Sequence, residues 1–313
     1  MRGNGIIFPL METVWIQEEQ IGYAASLLQR GELVAFPTET VYGLGVSLSQ
    51  PDAIPKVYQV KGRPSDNPLI AHISSPAQLT QLTTKLPPQK LIDAFWPGPL
   101  TLVLPKHPAL PPLVTSHLPT IAVRLPSHPT ARHLIDLVGS PLLAPSANLS
   151  GRPSATSASH VWDDFAGKIA AIVDGGDSPL GLESTVLLLA PKPTILRPGT
   201  ITKEALEEVL QEPVAYADPK TAEPLSPGMR YRHYAPKAKV TWFSEEAPFL
   251  AYLEQSRSRL RMTLETPQPE TLYADLRLAD TNGLEEVVLY CSYELTQNVA
   301  FMNRLAKIAP EGV

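Results

Sequence analysis

Prolines recur between short apolar runs over the first three-quarters of the chain, and that spacing limits what can form there. Thirty of the 34 prolines fall in residues 1–237 and four in 238–313. Proline lacks an amide N–H and has a fixed φ, so it is tolerated at the ends of strands and helices rather than inside them. The runs at 33–36, 69–73, 100–104, 121–123, 142–144 and 186–189 are too short for helices and are bounded by Gly, Pro or Ser, so they read as buried strands. The spacing predicts helices over 16–30, with Gly31 as the stop, over 51–60 and 129–138 with proline in the first turn, and over 159–165 and 202–210. Strands and helices alternate without a strict βαβ repeat. The expected fold class is therefore α/β, a twisted mixed sheet with flanking helices.

The charges narrow the function. Lys and Arg number 26 against 31 Asp and Glu, a formal charge of −5, which argues against a coat that binds nucleic acid by charge alone. One cysteine, Cys291, leaves no internal disulfide and no Cys-rich zinc site. No apolar run approaches the roughly 20 residues of a membrane helix, and residues 1–11 show no convincing cleavage-site pattern, so a cytoplasmic protein is expected. Residues 1–237 are near neutral, with 19 basic and 20 acidic groups, and hold all seven histidines. Residues 211–238 carry five prolines and no periodic apolar pattern, as a stiff linker would. The expected division is a catalytic domain at 1–212, a proline-rich linker or lid at 213–238, and a small C-terminal α/β domain at 239–313. That last part reads as strands at 240–243, 272–278 and 286–290 with helices at 248–260 and 295–308, and it has no Gly-rich phosphate loop.

Several stretches carry side chains suited to chemistry. Thr38-Glu39-Thr40-Val41-Tyr42-Gly43-Leu44-Gly45 follows a strand. It places hydroxyls and backbone N–H groups at a strand's C-terminal end, where α/β folds bind ligands; a turn that merely leaves the sheet is the alternative. Lys61-Gly62-Arg63-Pro64-Ser65-Asp66-Asn67 suits a phosphate clamp, with Arg as a planar fork and Lys as a point charge, or else a solvated basic turn. His72 lies in a strand among apolar neighbours, as a core histidine does. Arg124 ends an apolar strand and could meet a carboxylate or phosphate, or close an edge salt bridge. Residues 143–154 crowd Ser146, Asn148, Ser150 and Ser154 into one loop, a nest for an anion or a plain turn. No Gly-x-Ser-x-Gly surrounds these serines, which rejects a hydrolase nucleophile there. Glu183-Ser184-Thr185 steps into a strand, and Arg197 leaves the next one. Ser226-Pro227-Gly228 and Arg230, Arg232, His233 and Tyr234 put cations and aromatics into the linker, where a spacer would be small and polar. An aromatic there could cover a ligand or pack against the first domain.

In this order, the Thr38–Leu44 segment, Lys61-Gly62-Arg63-Pro64, Trp96-Pro97-Gly98-Pro99-Leu100-Thr101, Val123-Arg124, Pro145-Ser146-Ala147-Asn148-Leu149-Ser150-Gly151, Ser184-Thr185-Val186, Arg197-Pro198-Gly199 and His233-Tyr234-Ala235-Pro236 resemble the threonylcarbamoyl-AMP synthase family in its long form. The specific motifs cover about residues 15–237. The resemblance implies a YrdC-like catalytic domain, a linker and a small Rossmann-like C-terminal domain. It implies synthesis of threonylcarbamoyl-AMP from L-threonine, bicarbonate or CO2, and ATP, with release of pyrophosphate. The product would pass to a transferase complex that makes t6A at position 37 of tRNAs reading ANN codons. Lys61, Arg63 and Asn67 match the family's ATP-phosphate loop, with Lys61 and Arg63 as the catalytic cations. Thr120, Ser146, Ser154, Arg197 and the linker Tyr234 match ATP-binding positions. Thr38, His72, Arg124 and Ser184 match threonine-binding positions, with Ala144 offering backbone groups; Thr40 is the alternative to Thr38. The resemblance implies no protein metal site, with Mg2+ carried on the triphosphate. Two competing readings are a double-stranded RNA-binding module with weak RNA affinity, disfavoured by the near-neutral charge, and a carbamoyl-adenylate module of hydrogenase maturation proteins, disfavoured by the single cysteine.

Overall fold

The computed structural model describes residues 12–218, 234–255 and 260–310. The strands of the first part are β1 (Val14–Ile16), β2 (Val34–Phe36), β3 (Gly43–Ser47), β4 (Ile70–His72), β5 (Leu100–Pro105), β6 (Thr120–Arg124), β7 (Leu142–Ala144), β8 (Ala171–Val173), β9 (Thr185–Leu188), β10 (Thr194–Arg197) and β11 (Ala215–Tyr216). They form one mixed sheet in the order β1-β8-β2-β3-β7-β4-β6-β5-β9-β10-β11. Both faces of the sheet are covered, which is why its strands read as unbroken apolar runs. Alternation along each strand still sorts the side chains. Val34 and Phe36, with Leu142 and Ala144, face the helices Ile21–Gln29 and Pro129–Val138. Ala35 and Leu143 face the opposite core, where Tyr42, Val57, Val123 and Phe165 pack.

Two glycines of the Thr38–Gly45 segment serve this packing. Antiparallel pairing sets Gly43 opposite Phe36 and Gly45 opposite Val34. A Cβ at either glycine would come within 2.9 Å of the Phe36 ring. The segment is thus a tight turn followed by a buried strand, not simply a loop that offers N–H groups.

The second part carries β12 (Lys239–Phe243), β13 (Arg261–Leu264) and β14 (Glu286–Tyr290), all parallel, in the order β12-β14-β13. The helices Glu246–Gln255, Leu272–Thr281 and Val299–Ile308 complete a small α/β unit. The α/β class and the small C-terminal α/β unit are both present as expected.

Local readings differ in four places. The helix expected from residue 16 begins at Ile21, because Ile16 is paired with Val173 in the sheet. The strand expected at 272–278 is the helix Leu272–Thr281; Leu272, Tyr273, Leu276 and Ala279 recur with helical spacing and are buried. The third strand is instead β13, whose side chains are only half-buried and show no clear pattern. The helix expected over 295–308 is interrupted, with Asn298 capping Val299–Ile308 by accepting a hydrogen bond from Phe301 N at 3.0 Å. Of the segment expected as linker, Ala215 and Tyr216 pair with β10. Residues 219–233 lie outside the described residues, and with them Ser226, Pro227, Gly228, Arg230, Arg232 and His233. Among the described residues no helix is long and apolar enough to cross a membrane.

The two parts share a core. Val41 and Leu182 from the first join Tyr234, Leu272, Tyr273, Phe301 and Leu305 in one buried cluster. At Gly181, in the left-handed region at φ 63°, a Cβ would stand 2.0 Å from the Glu270 carbonyl oxygen, so the approach of the two backbones depends on glycine.

Candidate active site

Loops at one end of the central strands enclose a cleft lined mainly by polar and charged side chains. On one side, in-register parallel pairing of β4 and β6 sets His72 beside Arg124. Both are buried. Arg124 forms an ion pair with Glu39 at 2.7 Å and donates to Thr40 Oγ1 at 2.7 Å and to the Gly98 carbonyl at 3.3 Å. Burial raises the Glu39 carboxyl, but the Arg124 charge and hydrogen bonds from Arg124 and the backbone together outweigh it and leave the group below its ordinary value. Thr38 builds the turn that presents Thr40: its Oγ1 donates to the Val41 carbonyl at 2.6 Å and accepts from the Thr40 and Val41 amides. Thr40 lines the cleft and Thr38 does not. His72 rests edge-on against Phe36 and donates from Nδ1 to the Ile70 carbonyl at 3.1 Å. Burial, with the Arg124 charge, pushes it down to about 3, so its imidazole is neutral at physiological pH.

Cations converge on the other side. Lys61 ends the helix Ile54–Lys61, whose chain then turns through Gly62 at φ 62°. Its ammonium donates to the carbonyls of Ser146, at 2.6 Å, and Asn148 in the loop after β7. Arg63 donates to the carbonyls of Asn67 and Pro68 at 3.2 and 3.1 Å. Arg197 donates to the Ser184 carbonyl and to Ser184 Oγ, both at 3.1 Å, and that hydroxyl lies 2.7 Å from Thr101 Oγ1. Burial depresses all three cations, and a neighbouring positive charge adds to it in each case. Lys61 falls well below its ordinary value, Arg63 to about 10, and Arg197 in the same direction. Buried like charges held this close make a site suited to a polyanion.

Tyr234 closes this end. Its backbone is left-handed at φ 71°, and its ring stacks on Tyr273 at 5.3 Å. The next residue, Ala235, donates its N–H to the Gly151 carbonyl at 2.9 Å.

The cleft therefore brings together Lys61, Arg63, His72, Arg124, Ala144, Ser146, Ser184, Arg197 and Tyr234. It does not bring the rest to its surface. Asn67 contributes the carbonyl that orients Arg63. Ser154 is buried behind the wall, donating to Glu183 Oε1 at 2.6 Å. Thr120 lies at the far end of β6, four residues from Arg124 and so about 13 Å along the strand. Its buried Oγ1 has no hydrogen-bond partner among the described residues.

Sequence reasoning gave no role to Glu39 or Glu183, nor to Tyr273, Arg277 and Arg304 of the second part. The last two left a signal. Arg304 shares a helix face with Phe301, Leu305 and Ile308, and Arg277 shares one with Tyr273, and a charge on a core face calls for a buried partner. Arg277 meets Asp164 at 2.8 Å and the carbonyls of Pro153 and Ser154.

A family model described as "Telomere recombination", for Sua5, YciO and YrdC proteins, matches residues 26–199. A second, "Threonylcarbamoyl-AMP synthase, C-terminal domain", matches residues 201–310. A threonylcarbamoyl-AMP synthase of Bacillus subtilis is 43% identical, with 93% of each chain covered. One from Halorhodospira halophila is 38% identical over 50% of this chain and 83% of its own. The crystal structure of Pyrococcus abyssi Sua5 complexed with L-threonine superposes with a TM-score of 0.87 at 38% identity, covering 96% of this chain and all of that one. Together with the two-part architecture, these matches show that the chain belongs to the threonylcarbamoyl-AMP synthase family, in the form with a C-terminal domain.

Proposed function

We propose that this chain is a nucleotidyltransferase that makes threonylcarbamoyl-AMP from L-threonine, bicarbonate or CO2, and ATP, releasing pyrophosphate. The product would supply t6A formation in tRNA. The observation that carries this reading is the division of one cleft into two recognition ends: Lys61, Arg63 and Arg197 crowd one, and Arg124 with Thr40 and His72 forms the other. A triphosphate relieves the mutual repulsion at the first end. The amino acid's carboxylate meets Arg124 at the second, with Thr40, Ser184 and the backbone at Ala144 about it.

The threonine amine takes up CO2 as a carbamate, and a carbamate oxygen attacks the α-phosphorus while pyrophosphate leaves. No protein nucleophile is needed. The chain's part is to align the two anions and to stabilise charge on the leaving pyrophosphate with Lys61 and Arg63. Neutral His72, its one N–H given to the Ile70 carbonyl, can accept a hydrogen bond at Nε2 without adding charge. Ser146, Arg197 and Tyr234 cover the nucleotide, and burial keeps water from a hydrolysable mixed anhydride. The cleft carboxylates are committed, Glu39 to Arg124 and Glu183 to Arg304, Ser154 and Tyr273. They leave no carboxylate set for a resident metal, so magnesium belongs with the substrate as MgATP.

The test is pyrophosphate release with each substrate omitted in turn, and the mass of the adduct. Release that needs both L-threonine and bicarbonate is expected. Equal ATP turnover without either one would replace this reading with a plain ATPase.

A further inference from the structure

We propose that Arg304 of the C-terminal domain is a positioning residue for the nucleotide end of the cleft, an inference that rests on the function proposed above. The side chain is wholly buried on the helix Val299–Ile308. Its Nε donates to Glu183 Oε2 at 2.8 Å, Nη1 to the Pro198 carbonyl at 2.8 Å, and Nη2 to the Glu183 carbonyl at 3.3 Å. Residues 183 and 198 are the immediate neighbours of Ser184 and Arg197, which line the cleft. One guanidinium thus bridges two segments at the end of the antiparallel β9–β10 pairing, adding to the bonds that Arg197 makes with Ser184.

The carboxylate it holds extends the reach. Glu183 Oε1 accepts from Ser154 Oγ at 2.6 Å, and Oε2 accepts from Tyr273 OH at 3.0 Å. The guanidinium carbon also stands 5.8 Å from the centre of the Tyr234 ring, within cation–π range. Ser154, Ser184, Arg197 and Tyr234 are therefore all tied, directly or through Glu183, to one side chain of the second domain. At the other end, Arg124 meets Glu39, Thr40 and Gly98, all of the first domain.

Stability alone does not call for this arrangement. A buried ion pair can often be replaced by apolar side chains of similar volume at no loss. An apolar side chain could fill the space but could not orient the Glu183 carboxylate or satisfy the 183 and 198 carbonyls. Planar donors directed at three acceptors can.

The experiment measures KM for ATP, KM for L-threonine, kcat and thermal unfolding for the full chain and for Arg304→Met, Arg304→Lys and Tyr273→Phe. Arg304→Met is expected to raise KM for ATP about tenfold while KM for L-threonine moves less than about twofold. Arg304→Lys keeps the charge on Glu183 but loses the fork, and falls between. Tyr273→Phe, which removes one hydroxyl and preserves the packing, gives a smaller rise with the same selectivity. A fall in kcat or in the unfolding temperature with both KM values unchanged would overturn the proposal in favour of a structural role. An equal rise in both KM values would overturn it as well. Should Arg304→Met not fold, the lysine and phenylalanine variants decide. Should the unaltered chain release no pyrophosphate in response to L-threonine and bicarbonate, the function reading fails separately. Calorimetric ATP binding by the same variants then decides this inference.

Discussion

The cleft has two buried arginine–glutamate pairs of nearly the same length, 2.7 Å for Arg124–Glu39 and 2.8 Å for Arg304–Glu183. The first joins a turn and a strand of one domain, and the second joins two domains. On the proposed assignment, the amino-acid end would be complete within the larger domain, and the nucleotide end would be finished by the smaller one. In this chain the second domain contributes Arg304, and Glu183 would lose its ion-pair partner if that domain were displaced.

The largest expected effect is at the self-contained end. Arg124→Ala strands Glu39 in the interior, which costs about 3–5 kcal/mol of folding stability. In the folded fraction it should weaken L-threonine by about ten- to a hundredfold while leaving ATP binding nearly intact. Chemical denaturation and calorimetric titration of both ligands measure these. Equal losses for the two ligands would erase the distinction between the ends.

Next comes the contact between domains. Gly181→Val places a branched side chain where the Glu270 carbonyl already stands, 2.0 Å from a Cβ. A cost of about 1–3 kcal/mol is expected, with KM for ATP rising more than KM for L-threonine. A uniform fall in kcat would mean that docking does not discriminate between the ends.

Acid tests both ends. Folded His72 is held at about 3, mainly by burial, against its ordinary value of 6.5. Below pH 6.5 the unfolded chain takes up a proton that the folded chain refuses. Stability present at neutral pH is then lost as pH falls from 6.5 toward 3, by about 1.4 kcal/mol per pH unit. His160, held at about 4 by burial and Arg277, acts in the same direction from the domain-contact side. Unfolding midpoints should drop between pH 6 and 5, and His72→Gln should flatten part of that drop. A midpoint that does not move would mean His72 is protonated in the fold.

The smallest effect expected is that of Thr40→Val, which removes the hydroxyl that accepts from Arg124. About 1 kcal/mol, or roughly a fivefold rise in KM for L-threonine, is expected, with KM for ATP unchanged. A larger change from Thr40→Val than from Arg124→Ala would reverse the ranking of the two contacts.

The sequence shows the strand runs well because both faces of the sheet are covered, so apolar character needs no alternation to be seen. Pro129–Val138 and Leu142–Ala144 lie at the bounds that their spacing predicts. β13 and the Leu272–Thr281 helix were misread because half-buried strand residues lose their pattern, while a helical face of four apolar residues within eight looks like a run. In the site, residues in short motifs were legible: Lys61 with Arg63, Ser146, and Ser184 with Arg197. Glu39 sat inside a quoted motif without a role, since nothing in sequence says that its partner is Arg124, 85 positions later. Arg304 was harder still, because its role exists only once two domains have met.

The Arg304–Glu183 pair spans 121 positions, and this has a consequence for the order in which a growing chain acquires its parts. At roughly 5–20 residues per second, synthesis from Glu183 to Arg304 takes about 6–24 s. During that interval Arg124 and Glu39 have both been made, while Arg304, the ion-pair partner of Glu183, has not. On the proposed assignment, the nucleotide end of the cleft would be finished only when the helix Val299–Ile308 docks, after the amino-acid end.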